Sequence, residues 1–376
     1  MKEKQVCSKC VLDSEDDPKI KFDKDGVCTY CHIYDKNILK YYFGADTERT
    51  KFNNLINEIK QNGQGKKYDV LIGLSGGVDS TYVAFLCYKY KIRAIAVHLD
   101  NGWNSELSVV NIKNILKVTG YDLYTYVINW NEFKDLQRSY FKADVVDIEV
   151  LTDHAISSIM QKTAIKYKIK YILSGSSITT EGILPESWVF SKRDHINIIS
   201  IQRKFGTKRI KSFPINGFLR GIVKNKIYKI KNIDILNYIK YDKEEAKQII
   251  KDVFKWRDYG GKHYESVFTR FYQAYILPEK FHIDKRKSHY STLICAEQLN
   301  REQALQLLNE PLYSSELLKN YDKEYVLKKL EFEPGEFDEY INRNRVEHIS
   351  YNSVTKYLLF LSKIKRKFLF WKYITL

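Results

Sequence analysis

Residues 68–80 read Tyr68-Asp69-Val70-Leu71-Ile72-Gly73-Leu74-Ser75-Gly76-Gly77-Val78-Asp79-Ser80, and their reading decides the fold. Val70, Leu71, Ile72 and Leu74 form a short apolar run with no polar face, the pattern of a parallel strand buried on both sides. Ser75-Gly76-Gly77 stops the run. Two glycines allow a sharp turn that brings bare backbone N–H groups close to a ligand. Asp79 opens a helix in which Val83, Ala84, Leu86, Cys87 and Tyr90 recur at helical spacing. Strand, turn and helix N-terminus together make an anion site, because unpaired N–H groups and the helix dipole point at one spot. The turn lacks the Lys-Ser/Thr pair of a Walker A loop. Asp79 stands where the lysine would be, which suits an acid holding Mg²⁺ beside phosphate oxygens.

Outward from this turn, strand and helix alternate from 67 to 221, which predicts an α/β domain with a doubly wound parallel sheet. Residues 92–100 read as the second strand, ended by Asn101-Gly102 and followed by a helix through Val109, Ile112, Ile115 and Leu116. Residues 124–128 read as the third strand. A helix over about 153–167 carries Ile156, Ile159, Met160 and Ala164, and residues 171–174 form a further strand ended by Gly175. Ligands bind off the carboxyl ends of such strands, so residues 75–80, 98–102 and 175–181 are expected to meet in one crevice. Thr152 reads as an N-cap, with Asp153 and His154 in the first turn after it. The loop 176–188 holds Thr179-Thr180-Glu181-Gly182 and Pro185-Glu186-Ser187-Trp188, a mixture of acids, hydroxyls and an aromatic that suits a sugar.

Residues 1–35 read as a zinc ribbon. Cys7-x-x-Cys10 and Cys28-x-x-Cys31 have the spacing of a four-thiolate site. Four thiolates close the tetrahedral shell, so the role expected is structural, with His32 a surface neighbour. Residues 36–66 read as a helical linker with Phe52, Leu55, Ile56 and Ile59 on one face, broken at Asn62-Gly63-Gln64-Gly65. From 222 to 350 the pattern is helical, interrupted by the aromatic block Trp256 to Ser266. Lys285 and Arg286 can neutralise a leaving pyrophosphate; a basic turn on a solvated face explains them equally well. Cys87 and Cys295 fall in helical apolar segments, where a buried structural thiol is expected. Residues 351–376 form a basic amphipathic tail with Leu361, Ile364, Phe368 and Trp371 in a stripe; it packs on its own protein or touches an anionic membrane.

The 376 residues are 44% hydrophobic and 14% aromatic, the composition of a globular chain with a large core. No run of eighteen apolar residues and no secretory h-region is visible, so a cytoplasmic protein with reduced thiols is expected. A formal net charge of +16 permits an anionic partner. The lysines are scattered, and nucleic acid is not expected.

Ser75-Gly76-Gly77-Val78-Asp79-Ser80 closely resembles the PP-loop of the ATP pyrophosphatases, which split ATP between its α- and β-phosphates. Over nearly the whole chain the sequence resembles the N-acetyl sugar amidotransferases of bacterial surface-polysaccharide and flagellin-glycan synthesis. The cysteine pairs, the PP-loop, Thr152-Asp153-His154-Ala155-Ile156, Thr180-Glu181-Gly182, Gly260 to Ser266 and Lys280 to Arg286 carry that resemblance. It implies a sheet of the adenine nucleotide alpha hydrolase-like type, and ATP, Mg²⁺ and Zn²⁺ as cofactors. It also implies conversion of an acetamido group on a nucleotide-linked sugar to acetamidino through an adenylated intermediate. Ser75, Gly76, Gly77, Val78, Asp79 and Ser80 would cradle phosphate, with Asp79 on Mg²⁺. Val97, His98, Leu99, Asp100 and Gly175 would lie at the nucleotide, and Asp153 and Glu181 would orient the sugar or receive a proton. Ammonia would come from a separate glutamine amidotransferase subunit. A PP-loop tRNA thiolation enzyme is the alternative; it needs a reactive cysteine near the loop.

Overall fold

The computed structural model describes residues 4–38, 45–260 and 264–358, with residues 45–48 as backbone only. The stripe Leu361, Ile364, Phe368 and Trp371, and Gly261, Lys262 and His263 of the aromatic block, lie outside the described residues.

Five parallel strands form the sheet: β1 Val70–Gly73, β2 Ala94–Asp100, β3 Asp122–Val127, β4 Tyr171–Ser174 and β5 Lys231–Asp234, in the order β3-β2-β1-β4-β5. Val70 faces Ala94 on one side and Tyr171 on the other, so β1 is the central strand. The chain builds outward from β1 in one direction and then returns to build in the other. This reversal leaves a crevice at the carboxyl ends of β1 and β4.

In chain order the helices are α1 Thr29–Ile38, α2 Ala45–Gly63, α3 Val78–Lys89, α4 Glu106–Thr119, α5 Trp130–Lys142, α6 Val150–Lys166, α7 Ile178–Glu181 and α8 His195–Phe205. They continue with α9 Phe218–Ile227, α10 Lys243–Phe254, α11 Val267–Phe271, α12 Leu277–Phe281, α13 Lys285–Cys295, α14 Arg301–Leu308, α15 Glu316–Lys329 and α16 Glu336–Asn342. Period two along β1 sends Val70 and Ile72 to one face and Leu71 to the other. Val70 and Ile72 join a core with α2, α3, α4 and α10, through Ile59, Val83, Ile115 and Ile250. Leu71 packs with Ile159, Met160 and Ala164 of α6. The sheet is therefore covered on both faces, as the apolar run predicts. A third core joins Cys7, Cys10, Cys28 and Cys31 to α5, α8 and the C-terminal helices, through Phe133, Ile198, Phe271 and Phe337.

Two local expectations are corrected. The segment after 222, read as helical, contributes β5, beyond the boundary expected at 221. Lys231-Asn232-Ile233-Asp234 has one apolar side chain, and an edge strand needs little more when the ladder to β4 supplies its hydrogen bonds. Helix α6 starts at Val150, with Glu149 rather than Thr152 at the N-cap position. Among the described residues no helix is long and apolar enough to cross a membrane.

Candidate active site

The turn between β1 and α3 is shaped by contacts that only glycine tolerates. Gly76 has φ +84°, and a Cβ there would stand 2.7 Å from the Ser108 carbonyl oxygen. Gly77 is the N-cap of α3 and supplies no capping side chain, so the first turn presents backbone N–H groups. Ser75 and Ser80 close the cradle. The Ser80 hydroxyl accepts from the Ser75 N–H at 3.3 Å and donates to the Gly77 carbonyl at 3.1 Å. The Ser75 Oγ accepts from the Gly77 N–H at 3.2 Å.

Residues far along the chain hold this loop, and sequence reasoning missed them. The Gly76 carbonyl accepts from Trp256 Nε1 at 2.9 Å and from Tyr259 Oη at 3.0 Å. Tyr241 Oη donates to Asp79 Oδ1 at 2.5 Å. Burial first, then the Asp79 charge, pushes the Tyr241 hydroxyl well up, so it stays a donor. Gly175, at the end of β4, packs on the loop directly: a Cβ there would lie 3.0 Å from the Asp79 carbonyl carbon. Glu265 Oε1 lies 3.2 Å from where a Gly77 Cβ would be. No spacing in the sequence signals these partners. The aromatic block was visible, its target was not.

The crevice opens into a cavity of about 1420 Å³. Val97, His98 and Leu99 of β2 line it. Val97 accepts the Leu74 N–H at 2.9 Å and so fixes the start of the loop. The His98 ring bridges, with Nδ1 2.9 Å from the Leu74 carbonyl and Nε2 3.1 Å from the Asn104 amide. Asp100 is turned to the strand end, where its Oδ1 accepts from the Gly102 N–H at 3.0 Å.

Asp153, which also lines the cavity, pairs with Lys192 at 3.1 Å, and Lys192 also meets Asp147 at 2.7 Å. Burial works against the Lys192 charge, yet the two aspartates more than restore it. His154 spans the Lys192 carbonyl and the Asn216 N–H, and burial lowers its basicity. Glu149, also missed, accepts from Thr269 Oγ1 at 2.5 Å. Burial raises its carboxyl above the ordinary range, against the pull of Lys285. Its signal was available, since it lies in the acidic run before α6. Glu181 ends α7 and, with Lys285 at the start of α13, lines the same cavity. Arg286 also borders it, but its guanidinium is bound to Asp284 at 2.8 Å and to the Glu310 carbonyl at 2.8 Å, tying α13 to the end of α14. Trp188, expected near a sugar, is buried and donates to the Asp16 carbonyl at 2.6 Å, so it anchors the cysteine module.

In that module the four ligand sulfurs all lie within 4.8 Å of one another, and all four residues are fully buried. Cys7 Sγ accepts N–H bonds from Cys10 and Cys28 at 3.4 and 3.2 Å, which favours the thiolate. Four such donors fit a tetrahedral Zn²⁺. His32 is exposed and pairs with Asp23 at 2.7 Å, outside the cluster. Cys295 differs from the buried apolar thiol expected: it is partly exposed, with its sulfur 3.7 Å from that of Cys31. Cys87 is fully buried, and burial pushes its thiol up to about 12. At the loop, the carboxylates of Asp79, Glu181 and Glu265 border one cavity, hard oxygen donors of the kind Mg²⁺ takes beside phosphate.

Comparison with known proteins divides the chain in two. Residues 49–176 match the NAD synthase family. Residues 265–365 match the family described as LPS biosynthesis protein WbpG-like, C-terminal domain. No curated protein matches. Among solved structures, NMN synthetase from Francisella tularensis is 14% identical, over 61% of this chain and 93% of that one, with a TM-score of 0.30. NH3-dependent NAD synthetase from Campylobacter jejuni is 13% identical, over 75% and 96%, with a TM-score of 0.29. Glutamine-dependent NAD+ synthetase from Acinetobacter baumannii is 14% identical, over 77% and 48%, with a TM-score of 0.31.

Proposed function

We propose that this chain, which belongs to the PP-loop superfamily and to its sugar amidotransferase family and is an ATP-dependent C–N ligase of sugar biosynthesis, converts an acetamido group of a nucleotide-linked sugar to acetamidino. One observation carries the reading. The preformed Ser75–Ser80 cradle opens into a cavity of about 1420 Å³, larger than the roughly 300–1,000 Å³ typical of a single small ligand. ATP and a second, sugar-bearing substrate fit such a space together.

An amide carbon is a poor electrophile because its nitrogen donates into the carbonyl. Attack of the amide oxygen on the α-phosphorus breaks the bond to the β-phosphate and releases pyrophosphate. Ammonia then adds to the activated carbon, the C–O bond breaks, and AMP leaves with the former amide oxygen. The chain's task is to hold these atoms in line and to meet the charge that develops. Backbone N–H groups at Gly77 and the first turn of α3 receive phosphate oxygens. Asp79, with Glu181 and Glu265 nearby, would hold Mg²⁺, which neutralises phosphate charge when bound. Lys285 is the cation suited to the leaving pyrophosphate, whereas Arg286 serves as its scaffold. Asp153, fixed by Lys192, orients the sugar. Glu149, with its raised carboxyl pKa, is suited to take the proton from incoming ammonia.

Among the described residues no cysteine lines the cavity; a separate glutaminase subunit would supply the ammonia. The product would enter lipopolysaccharide O-antigen, capsule or flagellin glycan. Incubation with ATP, Mg²⁺, acetamido nucleotide-sugars and ammonium is expected to give AMP and an amidine. Glutamine replaces ammonium only when the glutaminase is added. ADP in place of AMP would refute the reading.

A further inference from the structure

The peptide joining Gly76 to Gly77 has no Cβ on either side to hinder its rotation, so its orientation has to be set from outside. In a trans peptide the C=O and N–H point in opposite directions, and whatever fixes one fixes the other. Here the carbonyl is held by Trp256 Nε1 at 2.9 Å and Tyr259 Oη at 3.0 Å, which occupy both of its lone pairs. The N–H of Gly77 consequently points the other way, into the cradle at Ser75 Oγ. A flipped peptide would turn a carbonyl oxygen toward the phosphate oxygens and repel them.

The two donors are themselves built in. Trp256 is buried in the core shared by α3 and α10, and its ring meets that of Tyr259 edge-on at 5.4 Å. Between them, Arg257 is clipped by the fully buried side chain of Asn111. Asn111 donates to the Arg257 carbonyl and accepts its N–H, both at 2.9 Å. Further on, Ser105 donates its N–H to the Glu265 carbonyl at 2.8 Å, and Val267 donates to that of Trp103 at 2.9 Å. Residues 256–260 thus form a strap pinned to the loop and to Asn111, and Glu265 and Val267 are fastened beside it. Trp256 and Tyr259 lie outside both matched segments, 49–176 and 265–365.

We propose that Trp256 and Tyr259 are positioning residues for ATP: by gripping the Gly76 carbonyl they keep the Gly77 N–H, and not the carbonyl, facing the triphosphate. The proposal rests on the reading of this loop as the ATP site. It is tested on the full chain with α,β-methylene-ATP and Mg²⁺ by titration calorimetry, which needs neither sugar nor turnover. Tyr259→Phe keeps its ring and Trp256→Phe keeps an aromatic side chain, and each removes one donor. Each is expected to weaken binding about ten-fold, and the double variant about a hundred-fold, with the KM for sugar unchanged. Tyr272→Phe is the control: it removes a buried hydroxyl of the same kind, 2.7 Å from the Val146 carbonyl and away from the cavity. It should lower the melting temperature and leave nucleotide affinity intact. Affinity in the double variant within two-fold of the parent, or a loss that Tyr272→Phe reproduces, overturns the proposal. A parent chain that does not take the analogue overturns the ATP reading and the proposal with it.

Discussion

The cysteine module and the phosphate loop are both short, and both announce themselves in the sequence, yet they are built in opposite ways. All four cysteines of the module lie between Cys7 and Cys31; one of its N–H···S bonds lies within the first knuckle and the other joins the two. The phosphate loop spans six residues, but its carbonyl and its aspartate are held by side chains 162 to 183 positions further on. A local motif therefore reveals what a site does. Whether the same motif reveals what supports the site depends on how far away the support is encoded.

Breaking the local module should have the largest effect. A structural zinc contributes on the order of 10 kcal/mol to the fold it closes. Cys28→Ser, or a strong chelator, is expected to remove one zinc per chain and to cost several kcal/mol. The damage should spread, because the module is seated on α13 and α14. Lys287 pairs with Asp13 and Asp16 at 2.6 and 3.0 Å, and Arg301 holds the Cys10 carbonyl at 3.0 Å. Scanning calorimetry with metal analysis checks this. A variant that keeps its melting temperature would show that the cysteines support nothing beyond themselves.

At the loop the balance reverses, with a large effect on turnover and a small one on stability. Asp79→Asn keeps the shape and removes the charge that would meet Mg²⁺. Turnover is expected to fall about 10² to 10³-fold, while the melting temperature stays within a few degrees. Steady-state rates beside a thermal melt decide it. Equal losses in both would make Asp79 a scaffold residue, bound to Tyr241 for stability alone.

The same division explains what the sequence made legible. The sheet centre was readable because β1 is apolar on both faces, and the loop because its glycines serve chemistry that six residues can encode. The edge strand β5 was not, since its hydrogen bonds come from β4 and its single Ile233 gives no period. Glu149 was hidden by the expectation of an N-cap at Thr152: the helix begins earlier and places Glu149 at its entrance, toward Thr269. Trp188 and Arg286 looked like site residues by type, but their polar groups serve the Asp16 and Glu310 carbonyls. Polar residue types name candidates, and only the long-range fold sorts wall from anchor.

A third, buried region sharpens the comparison through pH. His348 stacks on Phe190 at 4.3 Å, accepts the Asp147 N–H at 3.3 Å and lies 3.0 Å from Asn197 Oδ1. Burial pushes its pKa down to about 4. The unfolded chain takes up this proton near its ordinary pKa of about 6.5 while the folded chain does not, so stability falls as pH drops and the full loss is reached below the folded value. Between pH 7 and 5 the expected loss is about 2 kcal/mol. Urea titrations of the parent and of His348→Gln at both pH values check it, and the variant should lose less than the parent over that interval. Among the described residues the loop's contacts involve no histidine but His98 on Leu74, and its nucleotide affinity should hold over the same range.

The smallest expected effect separates amidination from sulfur transfer. A thiolation enzyme needs a thiolate that can reach the loop. Cys87 lies in α3, two turns past the loop, but it is fully buried, and burial pushes its thiol up to about 12, so at neutral pH it stays a thiol and not the reactive thiolate. Cys295 faces Cys31 and not the cavity. Cys87→Ala should cost about 1 kcal/mol of stability through the small void it leaves. Ammonium-dependent AMP formation by the Cys87→Ala/Cys295→Ala chain should stay within two-fold of the parent. Loss of AMP formation without loss of fold would move the chemistry from the strap-held phosphate loop to a thiol, and the contrast between locally and remotely built sites would no longer describe how this chain works.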